Sequence, residues 1–383
     1  MIMYILRKKN IKKSPYFKIK PTKRSHDKKG SSIRRKRKKI QKIPSHVFKK
    51  HEENPIISPQ SDNHWEAWQT FNPGAILFGD KIHFLYRAIG HDGISRFGYA
   101  ASNDGFFVDE RLPYPVYEHL LTKHIFNYYS FASGGSFGGC EDSRLVRVDE
   151  EDTMYVTYTA CDEGLRVALT SIKVQDFLQK RWKWKSPKLI SLPGEIHKNW
   201  VIFPEKIKGK YAMLTSINPE ISIEYLDDLE FSASGGKDNQ YIESTFAPAC
   251  RRNCWDTCVR GAGTTPIKTN YGWLLFYHAI DERDPGKYKV GAMLLDLSDP
   301  TKILHRSKEP ILEPEEVYEN DGFKTGVVYA SGAVVKDGEI LIYYGAADSY
   351  VGVAYANCKK FIEELKIEVK PKLERQILTK KII

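Results

Sequence analysis

The sequence predicts an all-β fold, specifically a five-bladed β-propeller preceded by a disordered basic tail. Three observations carry this. A unit of about 60 residues with three readable strands recurs five times. The middle strand of each copy is apolar on both faces, as expected for blades packed on either side. Helical periodicity is almost absent until the C-terminus. A two-sheet sandwich also tolerates many short strands, but five like units argue against it.

The copies follow in order. The first reads NPGAILF (72–78), KIHFLYRAI (81–89) and SRFGYAAS (95–102), and the second EDSRLVRVD (141–149), TMYVTYTAC (153–161) and LRVALTSI (165–172). The third is VIFPEKI (201–207), KYAMLTSIN (210–218) and ISIEYLDDL (221–229). The fourth is GAGTTPIKT (261–269), GWLLFYHAI (272–280) and KVGAMLLDL (289–297), and the fifth SGAVVKDGE (331–339), ILIYYGAAD (340–348) and YVGVAYAN (350–357). β-Branched and aromatic residues dominate the middle strands, and GDK, DEED, KGK, NYG and KDG supply the hairpin turns. The segment FIEELKIEVKPKLERQ predicts a short helix broken at Pro371.

Charge divides the chain into a tail (1–51), a propeller (52–358) and a part-helical C-terminal extension (359–383). Residues 1–50 carry 20 Lys and Arg against the single acid Asp27, so the net +11 of the chain leaves about −8 for the rest. The run IRRKRKK (33–39) has too little apolar surface to offset its ordering entropy. Such a tail is a solvated extension or adheres to an anionic polymer or membrane surface. The opening MIMYIL is too short for a secretory apolar segment and no 18-residue apolar run exists, so a soluble, cytoplasmic protein is expected. The six cysteines fit a reducing compartment. Cys250, Cys254 and Cys258 are spaced C-x3-C-x3-C without a paired C-x2-C or a nearby histidine, so no metal is expected there. Cys140 reads as a small buried thiol.

In a propeller the innermost strands converge on a central channel, and polar residues at their starts face one funnel. Those positions hold Asn72, Glu141 with Asp142, Lys198 and Asn199 with Glu205, Arg260, and Tyr329 with Ser331. The acidic pair in GGCEDSRLVRV (138–148) reads either as a buried ion pair with Arg144 or as a general acid. A carboxyl in a partly desolvated pocket keeps its proton and delivers it to a leaving oxygen, the role expected of Asp142.

GGCEDSRLVRV, KNWVIFPEKIKGKYAML, RGAGTTPIKTNYGWLLFYHAI and LIYYGAAD resemble, in order, the signature blocks of glycoside hydrolase family 130, mannoside phosphorylases and β-mannosidases on five-bladed propellers. The resemblance spans about residues 55–357. It implies Asp142 as general acid, with Ser143 replacing a proline of the family block, and a proton relayed through a sugar hydroxyl to the glycosidic oxygen. It implies phosphate attack with inversion, the phosphate held by Lys198, Asn199, His278 and Tyr288. Two departures stand out: Ser216 falls where phosphorylases commonly carry an arginine, and Val259 where they carry a lysine. Arg260 partly replaces the latter, although a one-residue shift turns a strand side chain to the other face.

Fewer cations weaken a phosphate site, so hydrolysis of β-mannosides with inversion is the favoured expectation and phosphorolysis to mannose 1-phosphate the alternative. A non-catalytic carbohydrate-binding propeller is a further alternative. Hydrolysis needs a second carboxylate, roughly 6.5–9.5 Å from the acid in an inverting pair. Glu220 and Asp256 are the candidates, with Glu282 behind them. Asn72, Arg87, Arg96, Trp200 and Asp348 are the expected sugar contacts, with Trp68, Tyr288 and Tyr344 as further aromatics, although Tyr344 and Trp273 fit blade packing better. No cofactor is expected beyond phosphate as co-substrate. The expected partner is an oligosaccharide substrate, with a homo-oligomer as an admissible assembly.

Overall fold

A computed structural model of the chain describes residues 48–120, 126–162, 164–231, 241–242 and 254–367. The basic run 33–39 and residues 368–383 lie outside them. The described residues are predominantly strands, arranged as consecutive antiparallel meanders. The first runs through Gln69–Phe78, Lys81–Ile89 and Ile94–Ser102. The second comprises Gly138–Arg147, Thr153–Cys161 and Arg166–Lys173. A short parallel pairing of Ile94 and Ser95 with Gly138 and Gly139 fuses these two into one sheet. The third meander, Val201–Ile202, Tyr211–Ser216 and Ser222–Leu226, is the slightest. The fourth consists of Cys258–Ala262, Gly272–Asp281, Asp284–Leu295 and Ile303–Arg306. Val328–Lys336, Glu339–Ala346 and Tyr350–Asn357 make the fifth.

The sequence pattern locates these strands well and misjudges their ends. The inner strand of the third unit keeps only two of the seven residues expected, because Pro204 removes a ladder donor and the chain turns away. Conversely, the third strand of the fourth unit starts at Asp284, extending the hairpin through the polar DPGKY segment. The fifth meander acquires a fourth strand from the end of the basic segment: Lys49 and Lys50 pair with Tyr355 and Ala354.

Core side chains gather into clusters that each join two meanders. Phe97 and Tyr99 meet Met154 and Tyr158, Val146 and Leu169 meet Ile202 and Met213, and Phe203 and Leu214 meet Trp273 and Leu275. Phe276 and Leu294 then pack on Ile342 and Tyr344. The remaining cluster places Val334 and Tyr343 of the fifth meander against Ile82 and Phe84 of the first, with the Phe84 and Tyr343 rings edge to face at 4.6 Å. Full burial of each such side chain contributes about 2 kcal/mol, which explains the doubly apolar middle strands. A C-terminal helix, Cys358–Ile367, docks Phe361, Ile362 and Leu365 onto the fourth and fifth meanders. Among the described residues no helix is long and apolar enough to cross a membrane.

Candidate active site

One local device recurs at the innermost strands. The register slips between Phe71 and Gly74, between Glu141 and Arg144, between Val259 and Gly261, and between Ala330 and Gly332. Each slip is a β-bulge, which bends a strand and re-aims a side chain. Asn72 and Asp142 occupy the left-handed region within two of these slips, with φ of 44° and 55°, and Asn199 does so just before the third inner strand, with φ of 64°. Asn and Asp tolerate that conformation better than other residues with a Cβ, because their short polar side chains bond locally. The three side chains accordingly line one cavity of about 540 Å³, together with Trp200, Arg260, Tyr288, Tyr329 and Asp348.

Asp142 is buried, and its contacts fall on one oxygen. Asn72 Nδ2 donates to Oδ1 at 2.8 Å and Arg87 Nη1 lies 3.4 Å from the same atom, so neither contact is made to Oδ2. Its neighbour Glu141 is fully engaged: Arg87 Nη2 and Ser130 Oγ donate to Oε1 at 3.0 Å each, and Ser133 Oγ and Lys198 Nζ to Oε2 at 2.8 and 2.9 Å. Burial alone would raise the Glu141 carboxyl, but Arg87 and Lys198 outweigh it and hold the group well below the usual carboxylate range. Glu141 is thus an anion locked in place. The serines come from the helix Tyr128–Gly134, which Asn127 caps by accepting the Ser130 N–H and whose Tyr129, Ala132 and Ser133 line the cavity.

On the other side a narrow annex opens between Lys198, Asn199, Ser216, Asn218, Arg260 and Gly261. Arg144 ties this wall to the acid. Its Nε donates to the Gly263 carbonyl at 2.6 Å, Nη1 to the Asp142 carbonyl, and Nη2 to Asn199 Oδ1 at 3.2 Å. Ser216 sits at the annex with its hydroxyl turned to Asn218, and the Val259 carbonyl accepts from Asn218 Nδ2. Neither position supplies a cation.

Several expected site residues lie elsewhere. Arg96 is held by Asp92 and Glu118, away from the cavity lining. Arg87 does not line the cavity either; it is buried behind Asp142 and Glu141 and acts on them rather than on a sugar. Glu220 is exposed on the turn after Tyr211–Ser216 and outside the lining. Asp256 is buried inside the fourth meander, paired with Arg306 and accepting from Tyr277 OH at 2.8 Å. His278 is also fully buried: its Nε2–H donates to the Ala330 carbonyl at 2.7 Å, and its ring stacks on Tyr329 at 3.8 Å. Burial, with Arg144 nearby, pushes its pKa down to about 3, so it is a neutral support and not a phosphate cation.

Asp348 does face the cavity, 3.3 Å from Lys324, and burial raises its carboxyl despite that partner. Lys324 was not singled out in the sequence. It lies in NDGFKTG, a loop with no period or motif, and only the fold brings it to Asp348 and to the Ser133 carbonyl. The lining therefore holds two carboxylates, Asp142 and Asp348, and three cations, Lys198, Arg260 and Lys324. No group of acid, histidine and cysteine side chains among the described residues is arranged to hold a metal.

A protonatable carboxyl facing a cationic, amide-lined annex across a sugar-sized cavity is the equipment of a glycoside-cleaving enzyme. A family model described as beta-1,4-mannooligosaccharide phosphorylase matches residues 33–366, and the chain belongs to that family, glycoside hydrolase family 130. A 1,2-beta-oligomannan phosphorylase from Thermoanaerobacter sp. (strain X514) is 37% identical over 325 residues, which cover 82% of this chain and 98% of that protein. The beta-1,2-mannobiose phosphorylase of Listeria innocua, solved with beta-1,2-mannobiose, superposes with a TM-score of 0.64 at 26% identity, over 84% of this chain and 99% of that one. A structure from work on glycoside hydrolases of the family that target beta-1,2 mannosidic linkages in Candida mannan gives a TM-score of 0.65 at 27% identity, over 82% and 94% of the two chains.

Proposed function

We propose that this enzyme, which acts on β-mannosides, cleaves β-1,2-linked oligomannosides by phosphorolysis. Asp142 delivers its proton, directly or through a sugar hydroxyl, to the glycosidic oxygen as the bond from the anomeric carbon breaks. A phosphate oxygen attacks that carbon from the opposite face, giving mannose 1-phosphate with inversion and a chain one sugar shorter. Trp200 supplies an apolar wall for the sugar, and Asn72 and Asp348 are its polar contacts. Phosphate sits at the mouth of the annex against Lys198, Asn199, Arg260 and Tyr288. The meanders serve as five blades of a ring whose axis passes through the cavity, a reading supported by the packing of the fifth on the first.

The observation that carries the reaction type is the composition of the lining. Water attack needs a carboxylate base opposite the acid, and Glu220 and Asp256 both lie outside the cavity. Asp348 is engaged by Lys324, whereas the annex brings two further cations, Lys198 and Arg260, to draw a dianion out of water. The named phosphorylase at 37% identity points the same way. Together they outweigh the loss of cations at Ser216 and Val259 that favoured hydrolysis from sequence. The test supplies β-1,2-mannobiose and longer β-1,2-oligomannosides with and without phosphate and assays mannose 1-phosphate. Strict phosphate dependence is expected, and Asp142→Asn is expected to lose about a thousandfold in kcat. Release of free mannose at the same rate without phosphate would establish hydrolysis instead.

A further inference from the structure

The annex has a polarity, and two side chains outside the expected phosphate set fix it. Asn199 Oδ1 accepts from Arg144 Nη2 at 3.2 Å and from Tyr329 OH at 2.6 Å. A guanidinium only donates, so the atom facing Arg144 has to be the oxygen and the amide has one permitted orientation. The Tyr329 hydroxyl also accepts from Arg144 Nη2 at 3.2 Å, closing a three-membered network. Nδ2 is thereby turned toward Gly261, where an added Cβ would stand 2.7 Å from it, and both residues line the annex. Among the described residues Nδ2 has no protein acceptor. His278, stacked under the Tyr329 ring at 3.8 Å with an interplanar angle of 21°, fixes the plane in which the hydroxyl lies.

We infer that Tyr329 and Arg144 are positioning residues that lock the Asn199 amide with its N–H donor aimed at the attacking phosphate. The inference rests on the phosphorolytic reading and adds to it a specific origin for phosphate affinity in a chain that lacks cations at positions 216 and 259. A free amide would present its oxygen half the time and repel the anion. The lock replaces a missing charge with an oriented dipole. It also accounts for the residue type at 199, where a left-handed backbone and a donor are both required.

Tyr329→Phe removes one hydroxyl. It is expected to raise KM for phosphate about tenfold while KM for the β-mannoside moves less than about twofold. Asn199→Asp keeps the shape and still accepts from Arg144 and Tyr329, but puts an oxygen where the N–H stood. It is expected to raise the phosphate KM about a hundredfold. Both variants are compared with wild type by circular dichroism, so that a folding defect is recognised. Equal rises in the two KM values, or an Asn199→Asp enzyme with unchanged phosphate KM, would overturn the lock and leave phosphorolysis standing. Phosphate-independent turnover by the wild type would overturn both.

Discussion

At the scale of single residues, two buried aspartates show how surroundings assign roles. Asp142 meets an amide and the edge of a shared guanidinium, both on one oxygen, and lines the cavity. Asp256 is consumed by structure: Arg306 pairs with it, Tyr277 donates to it, and the Arg306 guanidinium lies over the Tyr277 ring at 4.6 Å. Breaking such a pair leaves a buried charge without its partner. Asp256→Asn is therefore expected to cost about 3 kcal/mol of stability, read as a lower denaturant midpoint, with kcat per folded molecule unchanged. A loss of kcat in the still-folded variant would return Asp256 to the site. Asp142 was legible in the sequence because it opens a strand within a recognisable block. Asp256 in CWDTC was not, since its partner lies fifty positions on and no local pattern announces it. The same holds for Lys324, whose loop carries no sign of Asp348 or Ser133.

At the scale of elements, the strands were legible and the bulges were not. Alternation and β-branched content mark a strand, but a bulge adds one unpaired residue without changing composition. That one residue decides which side chain enters the cavity. Arg87 and His278 sit on well-predicted middle strands, yet Arg87 is spent on Glu141 and Asp142 and His278 on the Ala330 carbonyl. The inner strand of the second meander depends on a further backbone requirement. Gly139 has φ of +105°, and a Cβ there would fall 2.1 Å from the Ser95 carbonyl oxygen, at the parallel junction of the first two meanders. Gly79 has φ of +59° in a turn with nothing within 4 Å. Gly79→Ala should cost about 1 kcal/mol, the ordinary left-handed penalty. Gly139→Ala should cost at least about 2–3 kcal/mol, because the backbone itself has to move, and should lower kcat by displacing Asp142. Equal costs in chemical denaturation would remove the junction from the account of how the acid is held.

At the scale of the molecule, the fivefold repeat was legible but the partner of its last strand was not. Lys49 and Lys50 close the lysine- and arginine-rich first 50 residues and read as tail, yet they pair with Tyr355 and Ala354 on the outer strand of the fifth meander. Composition describes a segment by its average, whereas pairing is decided by which backbone is left without a partner. Lys50 adds a side-chain tie. Its Nζ lies 2.7 Å from Glu319 Oε2, a carboxylate with no solvent exposure, which also accepts the backbone N–H groups of Glu315 and Glu316. The Glu319 carbonyl in turn accepts from Gly326 and Val327, so this tie supports the loop that carries Lys324 into the cavity. Lys50→Met should strip a buried anion of its counter-charge and cost about 3 kcal/mol. The double variant Lys50→Met with Glu319→Gln should recover most of that, because the glutamine oxygen can accept the two backbone donors while its Nε2–H bonds Tyr344, which passes its own proton to Tyr318. Thermal and denaturant unfolding of wild type, both single variants and the double variant measure the coupling directly. If the double variant is no more stable than Lys50→Met, the paired charge is not what holds the N-terminal strand in place.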